Sequence, residues 1–212
     1  MKKKGLFITF EGLDGSGKTT QMEILNDYLK NRGFDVVTTI EPGGTKIGQK
    51  IRKILLDKEN HDISPLAETL LFLASRAQLV SEVIAPALKK GKIVLCDRFF
   101  DSTVVYQGIA RGLGEKEILK MNLWATGGMV PDITFLLSVK VSKGKKRMSD
   151  ADKKTDRIEL EKDSFKEKIY RGYLDTAKKN KDRIVIIDGE DSIKSISEEI
   201  KNKVCEYLEK KR

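Results

Sequence analysis

Cysteine is almost absent from the 212 residues: Cys96 and Cys205 lie far apart and have no metal-ligand spacing. That excludes a disulfide framework and a thiolate metal centre, and it points to a reducing cytoplasm. Histidine occurs once, as His61 in the polar stretch Lys58-Glu59-Asn60-His61-Asp62, and reads as a surface residue and not a catalytic base. No apolar run approaches the length of a transmembrane helix. The apolar run behind Met1-Lys2-Lys3-Lys4-Gly5 is short and lacks a small-residue cleavage site, so the start reads as mature chain. Acids are in deficit, with 32 Asp and Glu against 41 Lys and Arg, a net charge of +9. Such a balance invites a nucleic-acid partner. There is no nucleic-acid motif, however, and no aromatics interleave with basic runs such as Lys178-Lys179-Asn180-Lys181 or Lys210-Lys211-Arg212. These read as solvated helix faces, and neither nucleic acid nor membrane is expected as a partner. Length and a 39% hydrophobic content suit one domain, 1–212, with a true core.

What is present begins with Gly12-Leu13-Asp14-Gly15-Ser16-Gly17-Lys18-Thr19-Thr20. The apolar run Leu6-Phe7-Ile8-Thr9-Phe10 precedes it and an amphipathic run follows, so it reads as strand, glycine loop and helix. The spacing G-x-x-x-x-G-K-[ST] is that of a phosphate loop. Glycines let several N–H groups converge on one concavity, and the helix adds its positive end. Gly12, Leu13, Asp14, Gly15, Ser16, Gly17, Lys18 and Thr19 are therefore expected to hold a nucleoside triphosphate, with Lys18 at the outer phosphates and the Thr19 hydroxyl on Mg²⁺.

Strands are expected at Leu6–Glu11, Asp35–Ile40, Ile93–Asp97, Ile133–Val139 and Ile184–Asp188. Several are nearly all apolar, as in parallel strands covered on both faces. Helical patterns occupy Lys18–Arg32, Ile47–Leu56, Pro65–Lys89, Lys116–Ala125, Ser164–Lys179 and Ser192–Lys210. The alternation predicts an α/β fold, a five-stranded parallel sheet with helices on both faces. Val141–Asp156 is dense in charge and poor in apolar residues and reads as a mobile surface segment.

Parallel strands present ligands at their carboxyl ends. Asp97 closes the apolar strand Ile93–Asp97, where a phosphate loop needs a second carboxylate for Mg²⁺. Arg98 follows as a possible phosphoryl clamp. The run Asp97-Arg98-Phe99-Phe100-Asp101-Ser102-Thr103-Val104-Val105-Tyr106-Gln107-Gly108 resembles the signature of thymidylate kinases. Glu41-Pro42-Gly43-Gly44-Thr45, Leu71-Phe72-Leu73-Ala74-Ser75-Arg76 and Asp156-Arg157-Ile158-Glu159 are similar to further landmarks of that family, in the family's order.

The resemblance implies a P-loop kinase fold and transfer of a phosphoryl group from ATP to dTMP, giving dTDP, with Mg²⁺. It implies that Phe72 stacks on thymine, that Arg76 hydrogen-bonds the base, and that Arg52 and Arg98 hold the acceptor phosphate. Thr103 would contact the base, Tyr106 would crowd the sugar 2′ carbon, and Gln107 would line the pocket. Asp14 would lie near the acceptor sugar and phosphate, and Glu41 near metal and acceptor. Neither acid need be a general base, because the acceptor oxygen is already anionic. Family members pair through equivalents of the long helix, so a homodimer is implied, and Trp124 reads as core or subunit interface.

The basic segment, about 141–157, then reads as a lid. From Lys143 to Arg157, seven cations (Lys143, Lys145, Lys146, Arg147, Lys153, Lys154 and Arg157) face three acids, Asp150, Asp152 and Asp156. Some family members carry an arginine in the phosphate loop, and others keep small residues there and place cations in the lid. Gly15 and Ser16 put this chain with the second, mainly bacterial, type, with Arg147 and Arg157 as candidate catalytic cations beside Lys18 and Arg98. Two departures stand out: Ile40 occupies the place of a frequent family arginine, and lysines dominate a longer lid. A GTP-dependent switch would need Asp-x-x-Gly and Asn-Lys-x-Asp elements that are missing, since Asn180-Lys181-Asp182-Arg183 lacks the final acid. A deoxynucleoside kinase would need a carboxylate base, for which Asp14 or Glu41 could serve.

Overall fold

The computed structural model describes residues 5–151 and 155–210. Five parallel strands, β1 (Leu6–Glu11), β2 (Val36–Ile40), β3 (Ile93–Asp97), β4 (Ile133–Ser138) and β5 (Ile184–Asp188), form one sheet in the order β2-β3-β1-β4-β5. β1 is central and buried along its whole length. Its alternating side chains feed two cores. Leu6, Ile8 and Phe10 pack with Met22, Leu25 and Leu29 of α1 (Lys18–Asn31) and with Ile196, Ile200 and Val204 of α8 (Ile193–Lys210).

On the opposite face, Phe7, Val94 and Cys96 meet Leu79 and Ile84 of α3 (Pro65–Lys89). They also meet Val104 of α4 (residues 100–110) and Ile118 of α5 (Glu115–Ala125). α7 (Asp163–Lys179) closes that face, with Ile169 and Tyr173 against Val105 and Leu136. The expected two-faced α/β sheet is what the chain builds.

Helix starts follow local chemistry. Thr45 caps α2 (Lys46–Leu56) by accepting from Gly48 N at 2.9 Å. Ser64 caps α3 in the same way, with Pro65 in the first turn. α3 takes a π-helical turn at Val80–Ile84, directly before Pro86, whose missing N–H breaks the regular ladder. This helix qualifies the expectation about membrane spans. By length and mean hydropathy it could cross a bilayer, yet it buries Glu68 and Arg76 in ion pairs within the fold.

Three other expectations change. The stretch after Arg98, assigned no element from sequence, is α4: one α-helical turn, Phe100–Thr103, continuing as the π-helical Val104–Ala110. Much of the supposed mobile segment is α6, Val141–Asp150. Its apolar positions turned inward are only Val141, Gly144 and Met148, spaced three and four apart, too thin a stripe to register as apolar periodicity. Asp152, Lys153 and Lys154 lie outside the described residues, as do Lys2, Lys3, Lys4, Lys211 and Arg212. Trp124 is 87% exposed, so the core half of its reading is wrong for the single chain. His61 is exposed, and both cysteines are free.

The register positions the site. Phe10 and Ile40 are both paired with Asp97, so β1, β2 and β3 end in one row. Glu11, Glu41 and Arg98 follow directly, at the carboxyl edge of the sheet where its winding reverses.

Candidate active site

A cleft of about 570 Å³ opens at this edge. Asp14–Thr19 of the phosphate loop, Glu41, Arg52, Phe72, Arg76, Asp97, Arg98, Thr103, Tyr106, Gln107 and Arg147 all line it, while Gly12 and Leu13, expected with the loop, do not and Leu13 packs in the core. Residues from seven elements and loops, read separately from the sequence, thus meet in one cavity.

On the loop side, α1 begins at Gly17 (φ 94°) with no side-chain cap, which leaves its first N–H groups for an anion. Lys18 Nζ donates to the carbonyls of Gly12 (3.1 Å) and Leu13 (2.9 Å) and curls over the loop. Burial and the nearby Arg98 lower its pKa, with Asp14, Asp97 and Glu11 opposing. An incoming polyphosphate would restore the balance. Ser16 Oγ is buried with no protein partner among the described residues, again facing the place for phosphate. Thr19 Oγ1 donates to Asp97 Oδ2 at 2.7 Å, which places the two side chains expected at Mg²⁺ beside each other. No group of three or more His, Cys, Asp or Glu side chains among the described residues could cage a metal. Two hard oxygens beside a phosphate loop fit a magnesium ion that keeps waters and takes phosphate oxygens as its other ligands.

On the acceptor side, Phe72 is half-buried with its ring on the cleft, so it is not simply core. One turn on, Arg76 is 1% exposed and almost wholly committed. Nε donates to Glu41 Oε2 at 2.7 Å, and Nη2 donates to the same oxygen. Nη1 donates to Thr103 Oγ1 (2.8 Å) and Asn122 Oδ1 (2.5 Å). Of five N–H groups, one on Nη2 is left without a protein acceptor among the described residues. Burial pushes the Glu41 carboxyl above its ordinary value, with Arg76 pulling against it. Glu41 Oε1 is buried and has no protein partner among the described residues.

Arg98 has a left-handed backbone (φ 67°), a strained conformation for a non-glycine residue. Its fork spans Asp14 Oδ1 (2.7 Å), the Gly12 carbonyl (2.9 Å), Tyr173 Oη (3.2 Å) and Ser102 Oγ (3.3 Å), with the guanidinium over the Tyr106 ring. Burial opposes its charge, yet Asp14, Tyr106, Tyr173 and Asp97 hold it charged well above the usual arginine range. Arg52 Nη1 donates to the Pro42 carbonyl at 2.8 Å, which points it across the cleft mouth.

The two lid candidates part company. Arg147 of α6 reaches the loop, donating to the carbonyls of Gly189 (2.9 Å) and Gly15 (3.4 Å). Arg157 is not a lining residue, which corrects its reading as a cation at the phosphates. It is buried, donating to Glu68 Oε2 (2.5 Å) and the Leu55 carbonyl (2.9 Å), so it ties the end of segment 141–157 to α2 and α3. Glu68 also accepts from Gln107 (2.8 Å) and Arg111 (3.2 Å). Burial acts to raise its pKa, and the hydrogen bonds from Gln107, Arg111 and Arg157, with the charge of Arg111, outweigh it and hold the carboxyl below its ordinary value.

α6 sits backbone to backbone on the phosphate loop. A Cβ at Gly15 (φ +76°) would collide with the Gly144 carbonyl oxygen, and one at Gly144 would come within 2.9 Å of the Asp14 carbonyl oxygen. Sequence reasoning missed Glu11, Glu68, Asn122 and Tyr173. Only Glu11 left a signal: it ends an apolar strand, as Asp97 does.

Comparison with known proteins agrees with this geometry. The family model described as thymidylate kinase matches residues 10–200. The chain belongs to the thymidylate kinase family. It is 44% identical over 205 residues to a thymidylate kinase of an Exiguobacterium species, covering 97% of this chain and 96% of that one. It is 46% identical to a thymidylate kinase of a Thermoanaerobacter species, covering 97% and 100%. A crystal structure of thymidylate kinase from Ehrlichia chaffeensis superposes with a TM-score of 0.72 at 36% identity, covering 86% of this chain and 92% of that one. Thymidylate kinases phosphorylate dTMP to dTDP with ATP as the phosphate donor, and the chain is an enzyme of this kind.

Proposed function

We propose that the chain works as one nucleoside monophosphate kinase domain in the cytoplasm. Its own residues divide between donor, acceptor and lid. The loop amides, Lys18 and Thr19 hold ATP, and Thr19 with Asp97 would hold Mg²⁺, which neutralises charge on the phosphates. Phe72 stacks on the pyrimidine, and the remaining Nη2 hydrogen of Arg76 donates to its O4. Thr103, Tyr106 and Gln107 close the base and sugar pocket, while Arg52, Arg98 and Asp14 position the acceptor phosphate. Segment 141–157 is the lid, and Arg147 is its cation for the transferring phosphoryl. Exposed Ile47, Ile54, Leu66, Leu70 and Trp124, on α2, α3 and α5, supply an apolar surface for a homodimer.

The observation that carries this reading is the Arg76 donor count. A site with one donor aimed at position 4 accepts thymine or uracil and meets the amino group of cytosine donor to donor. Asp14 and Glu41 are both tied to arginines, which weakens the alternative of a nucleoside kinase with a carboxylate base. ATP consumption should be compared with dTMP, thymidine and dCMP as acceptors, with and without Mg²⁺. Turnover is expected with dTMP and Mg²⁺, with kcat/KM for dCMP lower by ~10³-fold. Faster turnover of thymidine than of dTMP would overturn the reading.

A further inference from the structure

Glu11 ends β1 one residue before the phosphate loop, is 1% exposed and does not line the cleft. A buried carboxylate that touches no ligand needs a reason to be there, because its desolvation costs stability unless every lone pair is used. Here four donors converge on it. Oε1 accepts from Phe99 N (2.8 Å) and Ser102 N (3.3 Å), and Oε2 accepts from Ser102 Oγ (2.6 Å) and Tyr173 Oη (2.9 Å).

Two of these groups also touch Arg98. Its Nη1 donates to Ser102 Oγ at 3.3 Å and to Tyr173 Oη at 3.2 Å. A hydroxyl has one hydrogen and two lone pairs. Ser102 Oγ and Tyr173 Oη also lie 2.8 Å from each other, so with one hydrogen drawn to Glu11 and the other drawn to Glu11 or to the neighbouring hydroxyl, both hydroxyls present lone pairs to the guanidinium. A side-chain amide at position 11 would keep the shape, but one of its ends donates. At least one hydroxyl would then turn its hydrogen towards Arg98, donor against donor. Glu11 fixes the backbone as well. The peptide after Arg98, at φ 67°, is anchored by the Phe99 N bond, and Arg98 N itself donates to the Phe10 carbonyl at 2.9 Å.

We infer that Glu11 is a positioning residue for the acceptor phosphate: acting through Ser102 and Tyr173, it aims the Arg98 fork. This rests on the reading above that Arg98 grips that phosphate. Burial and the neighbouring Asp101 push the Glu11 carboxyl up to about 7, with Arg98 and the bonds from Ser102 and Phe99 pulling it down. Lys18, Arg183 and Cys96 feel the same charge.

A double-mutant cycle with separate titrations of dTMP and ATP tests the idea. Glu11→Gln should raise the KM for dTMP about tenfold and leave the KM for ATP within about twofold, the loss of one charge-assisted hydrogen bond. In an Arg98→Ala background the same substitution should change the dTMP KM by less than about twofold. A fall in kcat with both KM values unmoved would mean a smaller folded fraction and would overturn the inference, as would effects that multiply in the double mutant. If Arg98→Ala alone leaves the dTMP KM unchanged, the reading of Arg98 itself is wrong, and the inference falls with it. Should Glu11→Gln fail to fold, Ser102→Ala and Tyr173→Phe break the relay without touching the carboxylate. Each should raise the dTMP KM about threefold, and no rise in either overturns the inference.

Discussion

Arg76 on the acceptor wall gives its guanidinium to Glu41, Thr103 and Asn122 and is 1% exposed. Arg147 on α6 is half-exposed and meets two backbone carbonyls, those of Gly189 and Gly15. The two arginines open onto one cleft. The first is fixed by a carboxylate and side chains that cannot leave without stranding a buried charge. The second is held by neutral acceptors that a phosphate oxygen, carrying full charge, can replace. A base must be read by a donor that does not adapt, since a mobile donor would accept either exocyclic group. Charge that develops during transfer is better met by a cation that can shift its bonds. The contrast extends along segment 141–157: Arg157 at its end is locked to Glu68 on the wall, while α6 rides on the loop.

The sharpest way to break this contrast is Arg76→Met. It should lower kcat/KM for dTMP by ~10³-fold and cost about 3 kcal/mol of stability, because Glu41 is left buried without its partner. Steady-state kinetics and chemical denaturation check both. If only one of the two drops, base reading and wall stability are not the same set of bonds. Arg147→Ala should act on rate alone: kcat falls about 10²-fold, with stability within about 0.5 kcal/mol of the parent. A large rise in dTMP KM with kcat intact would place Arg147 with the wall. The smallest effect concerns the Arg157 end of segment 141–157. Glu68 is held below its ordinary value, so the stability it contributes is complete above the unfolded carboxylate value of about 4.3 and is lost as pH falls through the folded value. Glu68→Gln should therefore destabilise by about 1 kcal/mol at neutral pH, and the difference from the parent should shrink on acidification. Thermal melts from pH 7 to pH 3 read this directly, and a difference that grows towards low pH would contradict the assignment.

Much of this was legible in the sequence where function is carried by neighbours along the chain. The phosphate loop and Asp97-Arg98 declare themselves through contiguous spacing, whereas the Phe72–Arg76 pair was readable only through the family resemblance, since Phe72 alone looks like core. The supports were not legible, because each joins distant elements. Glu68 binds Gln107, Arg111 and Arg157 from two other segments, and Asn122 meets Arg76 only because α5 packs against α3. Arg157 shows the limit most clearly. A cation in a basic segment looks the same in sequence whether it faces phosphate or a buried glutamate, and topology decides. α6 escaped for a related reason: the small residue that lets it approach the loop, Gly144, carries no apolar signal.

The Gly15–Gly144 contact also constrains how this enzyme could be rebuilt. An arginine grafted at position 15 would need the space that the Gly144 backbone fills, so it cannot coexist with α6 seated on the loop. On the role proposed for Arg147, moving that cation from segment 141–157 to the loop is therefore not a single exchange. The loop gains its charge only after the lid has retreated, and the lid can retreat without loss only once the loop is charged. Every one-step intermediate carries either two cations in conflict or none in place. Any route from one arrangement to the other must change both segments together, and divergence at this pair should be abrupt rather than graded.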